Sequence, residues 1–455
     1  MRTTSPPSGA VGLGMCRIAV ACSLLCVPIA SHAMDLQQAY EAAQRNDATI
    51  LAARASAAAD REFLPQARAQ MRPNVSAGWS RTFNHLTSVT PTISGGVQTN
   101  YSEYPSSTQS LTVRQPLYRP QLMAQYRIAQ AQVADAEAGL QQEEQSLFVR
   151  VSTAYFDALL AHDQLALVLA QQKAFTTQLD VARKAFAAGS GIRTDIDEAQ
   201  ARMDMNLAQE TEAREFVSYT REQLQTLVVE PVSGLANLNI DALVLQPPDP
   251  NSLEQWQARA EQYSPLLQSL SARLEIARNE VKRADTGHRP TLDAVAQWSK
   301  SKSESVTNTS ATYTNRSLGF QLNIPLYAGG GVNSQQAQAL SRQERAEQLL
   351  QAGRRDLMIR VYKEFRGVGE TIPRIKALEQ ALRSADQLVL SSRRSFQAGS
   401  RTLVDILNAE QQRVLVQRDL AQARYLYLVS RVRLLSLAGQ MNQDAVLAIN
   451  AVLQP

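Results

Sequence analysis

Two stretches of this chain repeat one another at a nearly constant distance, and that duplication limits its fold more than any local propensity does. Gln115-Pro116-Leu117-Tyr118 answers Ile324-Pro325-Leu326-Tyr327, Leu147-Phe148-Val149-Arg150-Val151 answers Leu357-Met358-Ile359-Arg360-Val361, and Phe186-Ala187-Ala188-Gly189-Ser190 answers Phe396-Gln397-Ala398-Gly399-Ser400, each 209 or 210 residues apart. Arg72-Pro73 and Arg289-Pro290 are 217 apart, so the first copy carries about seven or eight extra residues between those points. The polar stretch from Asn84 to Ser107 is longer than its partner from Ser299 to Arg316 and has room for them. A fold for this chain must therefore be one unit built twice.

Each copy shows the same order: a helical segment, two short strands about the variable loop, and two long helical segments. The copies span residues 34–229 and 253–438, joined by a connector at 230–252 and followed by a tail at 439–455. Asp35 and Gln38 have capping-box spacing, and the helix they open is expected to run toward Arg72-Pro73. After Pro73, Val75, Ala77, Trp79 and Phe83 share one face of an alternating strand, with Asn74, Ser76, Ser80 and Thr82 on the other. Its counterpart sets Leu292, Ala294, Ala296 and Trp298 against Asp293 and Gln297. The returning strands alternate at Leu111 and Val113 and at Leu318, Phe320, Leu322 and Ile324. Four strands are expected, near 74–84, 107–115, 291–299 and 316–324, each with one apolar face.

From Pro120, a residue suited to a first helical turn, helical sequence continues to Phe186, and the second copy does the same from Val332 to Phe396. Such a helix approaches about 100 Å at the standard rise. Leu407, Val414, Ala421, Leu428 and Leu435 keep heptad spacing, so the rods need lateral partners. Between Gly367 and Pro373 a bend is expected, because proline removes an interior hydrogen bond. Taken alone, the stripes read as a soluble coiled coil or a bundle core. Coupled to strands with one apolar and one polar face, they read as the extension of an outer-membrane barrel wall. Tyr118 and Tyr327 follow the matched Pro116 and Pro325, where a periplasmic aromatic girdle would stand, though each could equally be a half-buried packing tyrosine.

Composition narrows the membrane reading. The mean hydropathy is -0.26, and no stretch after residue 34 supplies the roughly 20 apolar residues of a spanning helix. A membrane-embedded part must consist of strands. Arg2 and Arg17 precede an apolar run from Ile18 to Ala30, and Ser31-His32-Ala33 has the small-x-small pattern of a cleaved signal peptide. Residues 1–33 are thus expected to be removed, the run being too short for an anchoring helix. The three cysteines, Cys16, Cys22 and Cys26, all lie there, so disulfides and thiolate metal sites are not expected. Ala19-Val20-Ala21-Cys22 is a partial lipobox and leaves a lipoprotein as the alternative.

Other function classes find little support. A net charge of +4 from 46 basic and 42 acidic residues, with no basic run carrying aromatics, argues against nucleic acid. The four histidines, His32, His85, His162 and His288, lack metal-ligand spacing, and no nucleophile elbow or phosphate loop is present. No enzyme activity, cofactor or metal is expected, and His162-Asp163 reads as a surface pair on a helix.

Four strands cannot close a cylinder, and each backbone group left unpaired in lipid costs several kcal/mol. Membrane barrels begin at about eight strands, so several chains must share one barrel, although closure alone does not choose between two chains and three.

Over essentially the whole chain after residue 34 this arrangement resembles the TolC family of outer-membrane efflux and secretion ducts. The most specific match is Ala398-Gly399-Ser400-Arg401-Thr402-Leu403-Val404-Asp405-Ile406-Leu407-Asn408-Ala409, joined by the strand-to-helix junction Ile324-Pro325-Leu326-Tyr327-Ala328-Gly329-Gly330. The resemblance implies a mixed α and β membrane protein: a homotrimer with a twelve-stranded barrel in the outer membrane of a Gram-negative cell, four strands per chain. A helical tunnel through the periplasm and an equatorial collar from residues 230–252 and 439–455 complete it. Implied partners are outer-membrane lipid, a periplasmic adaptor (membrane fusion) protein, and an inner-membrane ABC transporter or RND pump. Type I protein secretion is the expected role, toward which the lack of a full lipobox leans, with multidrug efflux as the alternative. A trimeric coiled-coil adhesin, from a different class, would lack the duplication and confine its strands to the C-terminus.

The resemblance also assigns residues. The turns at Gly189-Ser190 and Gly399-Ser400 would form the periplasmic tip where adaptor hairpins dock. Asp405 would line the constriction, with Asp195 as its repeat-equivalent, and Arg401 would pair with Asp195 and the Thr194 region to hold the tunnel closed. Asn408 stands where the family often has a second aspartate, and Phe396 where it has a tyrosine. The ring would then carry three carboxylates rather than six and lack one hydrogen bond, giving a less cation-selective, more easily opened entrance. The plainer account of Asp405 and Asp195 is an acid at a helix N-terminus, which is favourable in any protein.

Overall fold

In the computed structural model, which describes residues 33–303, 311–441 and 443–454, Asp35 and Gln38 cap α1 (Leu36–Asn46) reciprocally. The Gln38 N–H donates to Asp35 Oδ1 at 2.7 Å and the Asp35 N–H to Gln38 Oε1 at 3.2 Å. The expected signal segment lies, apart from Ala33, outside the described residues. The helix does not continue unbroken to Arg72; it is three helices, α1, α2 (Ala48–Arg61) and α3 (Phe63–Ala69). Asp47, in an extended conformation, ends α1 and caps α2 by accepting the Ile50 N–H at 2.9 Å. Pro65, tolerated in a first turn but not within a helix, separates α2 from α3.

The four long strands form one antiparallel sheet in the order β1 (Asn74–Pro91), β2 (Val97–Tyr118), β4 (Thr291–Ser303), β5 (Ala311–Asn323). The expected first hairpin was too short. The polar stretch after Asn84 is not a long loop, since Thr87 pairs with Tyr101 and Val89 with Thr99, and the turn occupies only 92–96 with Gly95 at φ +84°. Hydroxyl-bearing and β-branched residues favour the ladder even where neither face is apolar. The first copy's extra residues thus lengthen a hairpin. Val75, Val113, Ala296 and Leu318 form one cross-strand row, so the apolar faces of both copies fuse into a single surface.

Below the sheet stand two rods, α4 (Pro120–Ala187) of 68 residues and α8 (Gly331–Gln397) of 67. α5 (Arg193–Val228) returns along the far part of α4, and α9 (Leu403–Leu437) along that of α8. α7 (Pro265–Asp285), preceded by α6 (Leu253–Tyr263), covers the part of α4 nearer the sheet, with Arg273 on Asp135 at 3.0 Å. Gly367 and Pro373 both lie inside α8, whose helix runs through them without interruption. Among the described residues no helix is long and apolar enough to cross a membrane.

Midway along the rods, the segment 230–252 meets the described residues of 439–454. β3 (Asn237–Leu238) pairs with β6 (Leu453–Gln454), which follows α10 (Gln443–Asn450), and Met34 bridges to Leu235. The fully buried Tyr155 of α4 places its hydroxyl 2.9 Å from the Ala236 carbonyl and 3.0 Å from that of Met34. Tyr427 of α9 donates to the Gln246 carbonyl at 3.0 Å and accepts the Gln246 N–H at 3.1 Å. The largest core cluster surrounds these tyrosines, with Phe148, Phe156, Leu224, Leu357 and Ile375.

Candidate functional site

Three places along the molecule bring the sequence candidates together: the sheet face, the strand-to-helix junction and the far turns of the rods.

On the sheet, Trp79, Phe83, Leu318 and Phe320 all stand more than two-thirds exposed. A continuous exposed apolar face of this kind on a twisted antiparallel sheet is what a lipid-facing barrel wall requires. Both edge strands, β1 and β5, carry unpaired backbone groups along their outer sides.

At the junction, β2 runs through Pro116 to Tyr118 with a register shift between the two, whereas Pro325 follows the end of β5. Tyr118 is half exposed and Tyr327 is almost fully exposed in the single chain. An ion pair that sequence reasoning missed braces this corner. Arg119, just before α4, donates from Nε to Asp293 Oδ1 at 2.7 Å and from Nη2 to Oδ2, and Asp293 is almost fully buried. The repeat places Ala328 opposite Arg119 and Ser76 opposite Asp293, so the brace joins the two copies in one direction only.

At the far end, both turns close with the same glycine-centred motif. Gly189 and Gly399 take φ of +73° and +76°. Their N–H groups donate to the carbonyls of Phe186 and Phe396, and those of Ser190 and Ser400 donate to Ala185 and Ser395. This is the Schellman pattern, which satisfies the last carbonyls of a helix while reversing the chain.

Beyond the turns the copies differ. Thr402 caps α9: its N–H and hydroxyl each donate to Asp405 Oδ2 at 2.9 Å, and the Asp405 N–H donates back to Thr402 Oγ1. The Thr402 backbone N–H, then its hydroxyl, then the Arg401 charge hold the Asp405 carboxyl below the usual carboxylate range. In the first copy Ile192 occupies the cap position and has no hydroxyl, so Asp195 lacks this engagement and Thr194 stands exposed. Arg401 does not reach Asp195 or Thr194 within the chain; its Nη1 donates to the buried Ser392 Oγ at 2.7 Å on its own hairpin. Phe396 is turned inward, joining Phe175, Leu179, Leu403 and Leu407 in a small apolar cluster between the hairpins.

Two further contacts at this end escaped the sequence reading. Arg202 of α5 is held by Glu198 at 3.0 Å and donates from Nη2 to Asn408 Oδ1 at 3.1 Å and from Nη1 to Gln411. Glu410, 1% exposed, receives Arg393 of α8 and lies 3.1 Å from Arg413. Its repeat-equivalents make the same link: Arg183 donates to Gln200 Oε1 at 3.1 Å. That recurrence, an arginine and an acceptor 17 residues apart in both copies, was available in the sequence. Higher on the rods, Asp163 is not part of a surface pair with His162; it accepts the Tyr425 hydroxyl at 2.8 Å and ties α4 to α9. Among the described residues no cluster of histidine, cysteine or carboxylate side chains could hold a metal ion.

Comparison with known proteins agrees with this geometry. The profile described as "Outer membrane efflux protein" matches the chain twice, over residues 39–228 and 256–440, one match to each copy. The alkaline protease secretion protein AprF of Pseudomonas aeruginosa is 32% identical over 415 residues, covering 91% of this chain and 86% of that protein. The proteases secretion protein PrtF of Dickeya chrysanthemi is 29% identical over 428 residues, covering 93% and 92%. Among solved structures, the outer membrane protein VceC from Vibrio cholerae superposes with a TM-score of 0.77 at 17% identity, over 89% of this chain and 96% of that one, a likeness of fold.

Proposed function

The chain belongs to the outer membrane efflux protein family, and from that premise we propose that three copies form one closed exit duct for a tripartite export system. The protein is an outer-membrane protein whose helices extend into the periplasm, as the family's channels are. Three four-stranded sheets would join β5 of each chain to β1 of the next, closing a twelve-stranded barrel with no free edge. The six long rods beneath, with the shorter helices paired along them, would continue the barrel as a tunnel. Its far end, built from the paired turns, would meet a periplasmic adaptor and, through it, an inner-membrane ABC or RND transporter.

The single observation that carries this reading is the exposed apolar face shared by both copies on one sheet with two unsatisfied edges. Type I protein secretion is the favoured role because AprF and PrtF, similar over nearly the full length, are described as protease secretion proteins. Drug efflux is the second reading, favoured by the family's own description. In a strain lacking the gene, loss of an extracellular protein with unchanged drug sensitivity would establish secretion; the opposite outcome would establish efflux.

Within the duct, Asp405 and Asp195 at the turns are proposed to line the entrance, with Gly189, Ser190, Gly399 and Ser400 as the adaptor-docking rim. Arg401 bonds Ser392 inside its own hairpin and does not reach Asp195 within the chain, so any hold it has on Asp195 would act between neighbouring protomers. Planar-bilayer conductance of the purified protein tests this. A small, stable conductance that rises in Arg401→Ala and is blocked by multivalent cations added on the periplasmic side is expected. A folded, inserted protein that conducts nothing would overturn the duct, and an unchanged Arg401→Ala would remove Arg401 from the gate.

A further inference from the structure

Toward its hairpin ends the apolar face of the sheet carries cations. Along β4 the residues on that face run Leu292, Ala294, Ala296, Trp298, then Lys300 and Lys302. Along β5 they run Leu322, Phe320, Leu318, then Arg316, and along β1 Val75, Ala77, Trp79, then Arg81, with Phe83 beyond it. Arg81, Ser107 and Lys302 share one cross-strand row, Trp79, Gln109 and Lys300 the next, and Ala77, Leu111, Trp298 and Arg316 the row after that. The change from apolar to basic moves toward the hairpin ends on passing from β5 to β4 to β1. A line lying in the membrane plane must do so when strands tilt by about 35–45°.

All four cations are exposed, and none is in an ion pair among the described residues. Arg81 lies over the Phe83 ring, 5.3 Å from its centroid. Among the described strand residues on this face the one carboxylate is Glu103, already engaged by His85 at 2.9 Å and two rows farther from the apolar belt. Isolated basic residues at a membrane boundary commonly do no more than extend into water. Here four stand together directly above two tryptophans, with the hydroxyls of Ser107, Thr312 and Thr314 and the amide of Gln109 between them. The helices mark the periplasmic end of the sheet, so this patch lies at the headgroups of the outer leaflet.

We propose that Arg81, Lys300, Lys302 and Arg316 form a binding surface for a phosphorylated lipid of the outer leaflet. The cations supply the charge, and the intervening hydroxyls supply neutral donors to the phosphate oxygens. The acyl chains lie along Trp79, Trp298 and Leu318. Hydrogen bonds from arginine to phosphate are directional and charge-assisted, and each basic side chain near an anionic surface adds to retention. The inference rests on the sheet being the barrel wall.

The test uses the mature protein reconstituted into phosphatidylcholine vesicles. Trp79 and Trp298 report first: a blue shift on insertion shows that this face meets lipid, and without it both the barrel wall and this proposal fail. Energy transfer from these tryptophans to labelled lipid A then measures enrichment of bis-phosphorylated lipid A against lipid A stripped of its phosphates. The expected result is preferential enrichment of the phosphorylated form, reduced about tenfold in Lys300→Gln/Arg316→Gln and not displaced by inorganic phosphate. A blue shift with equal enrichment of the two lipids, or an unchanged double variant, overturns the proposal while leaving the barrel intact. Displacement by inorganic phosphate would mark the patch as a site for small anions and overturn its assignment to lipid.

Discussion

Asn408 shows how a single side chain changes meaning once its neighbours are known. Read from sequence, it is a missing carboxylate at the tunnel entrance; in the structure it accepts a hydrogen bond from Arg202, 206 residues away along the chain. A carboxylate introduced by Asn408→Asp would therefore meet a guanidinium already in place. Cation selectivity in planar bilayers is expected to rise little in Asn408→Asp and fully only in Asn408→Asp/Arg202→Gln; equal selectivity in the two would refute the role given to Arg202. Asp405 offers a second test. Its carboxyl is held below the usual range by Thr402, so its contribution to the α9 cap is present above the ordinary carboxylate pKa of about 3.9 and is lost as pH falls through the depressed value. Opening frequency should thus stay level from neutral pH to about pH 4 and rise only below it, and Thr402→Val should move that rise upward. A rise at the same pH in both proteins would separate the cap from gating.

At the scale of elements, the long helices, the four strands and the two glycine turns were legible because each is written in a local pattern: heptads, alternation, or Phe-x-x-Gly-Ser. The first hairpin was misjudged for a related reason. Its upper part mixes Val89, Val97 and Tyr101 with threonine, proline and Glu103 on one face, and so gives no clean alternation to read. Contacts between rods, such as Tyr425 with Asp163 or Arg119 with Asp293, were not legible at all; they join residues 262 and 174 positions apart, and nothing in either segment names its partner. The turns themselves can be probed cleanly. No heavy atom lies within 4 Å of where a Cβ on Gly399 would stand, so Gly399→Ala isolates the cost of its left-handed backbone, about 1 kcal/mol. Hydrogen exchange at residue 399 and Ser400, whose N–H groups close the turn, should quicken about fivefold while the melting temperature of the assembly stays fixed. A drop in that temperature would mean that the turn supports more than itself.

At the scale of the whole molecule, duplication has been followed by divergence at both ends. One copy contributes Arg119 and the other Asp293; one carries Thr402 and Glu410 where the other has Ile192 and Gln200. The brace at the barrel corner is consequently internal to each chain and missing from the seams between chains, where Ala328 and Ser76 would meet. Asp293→Asn should then loosen the corner within protomers, read as faster proteolysis near Arg119, without changing the assembly's size; dissociation would place the brace at the seam instead. The unsatisfied outer sides of β1 and β5 carry a genetic consequence. Every subunit closes the wall for both of its neighbours, so a chain with a β5 unable to pair spoils any ring that admits it. Expressed equally with a normal chain, it would leave only about one ring in eight intact. Such alleles should therefore be dominant in a cell carrying one good copy, whereas simple loss of the gene should be recessive.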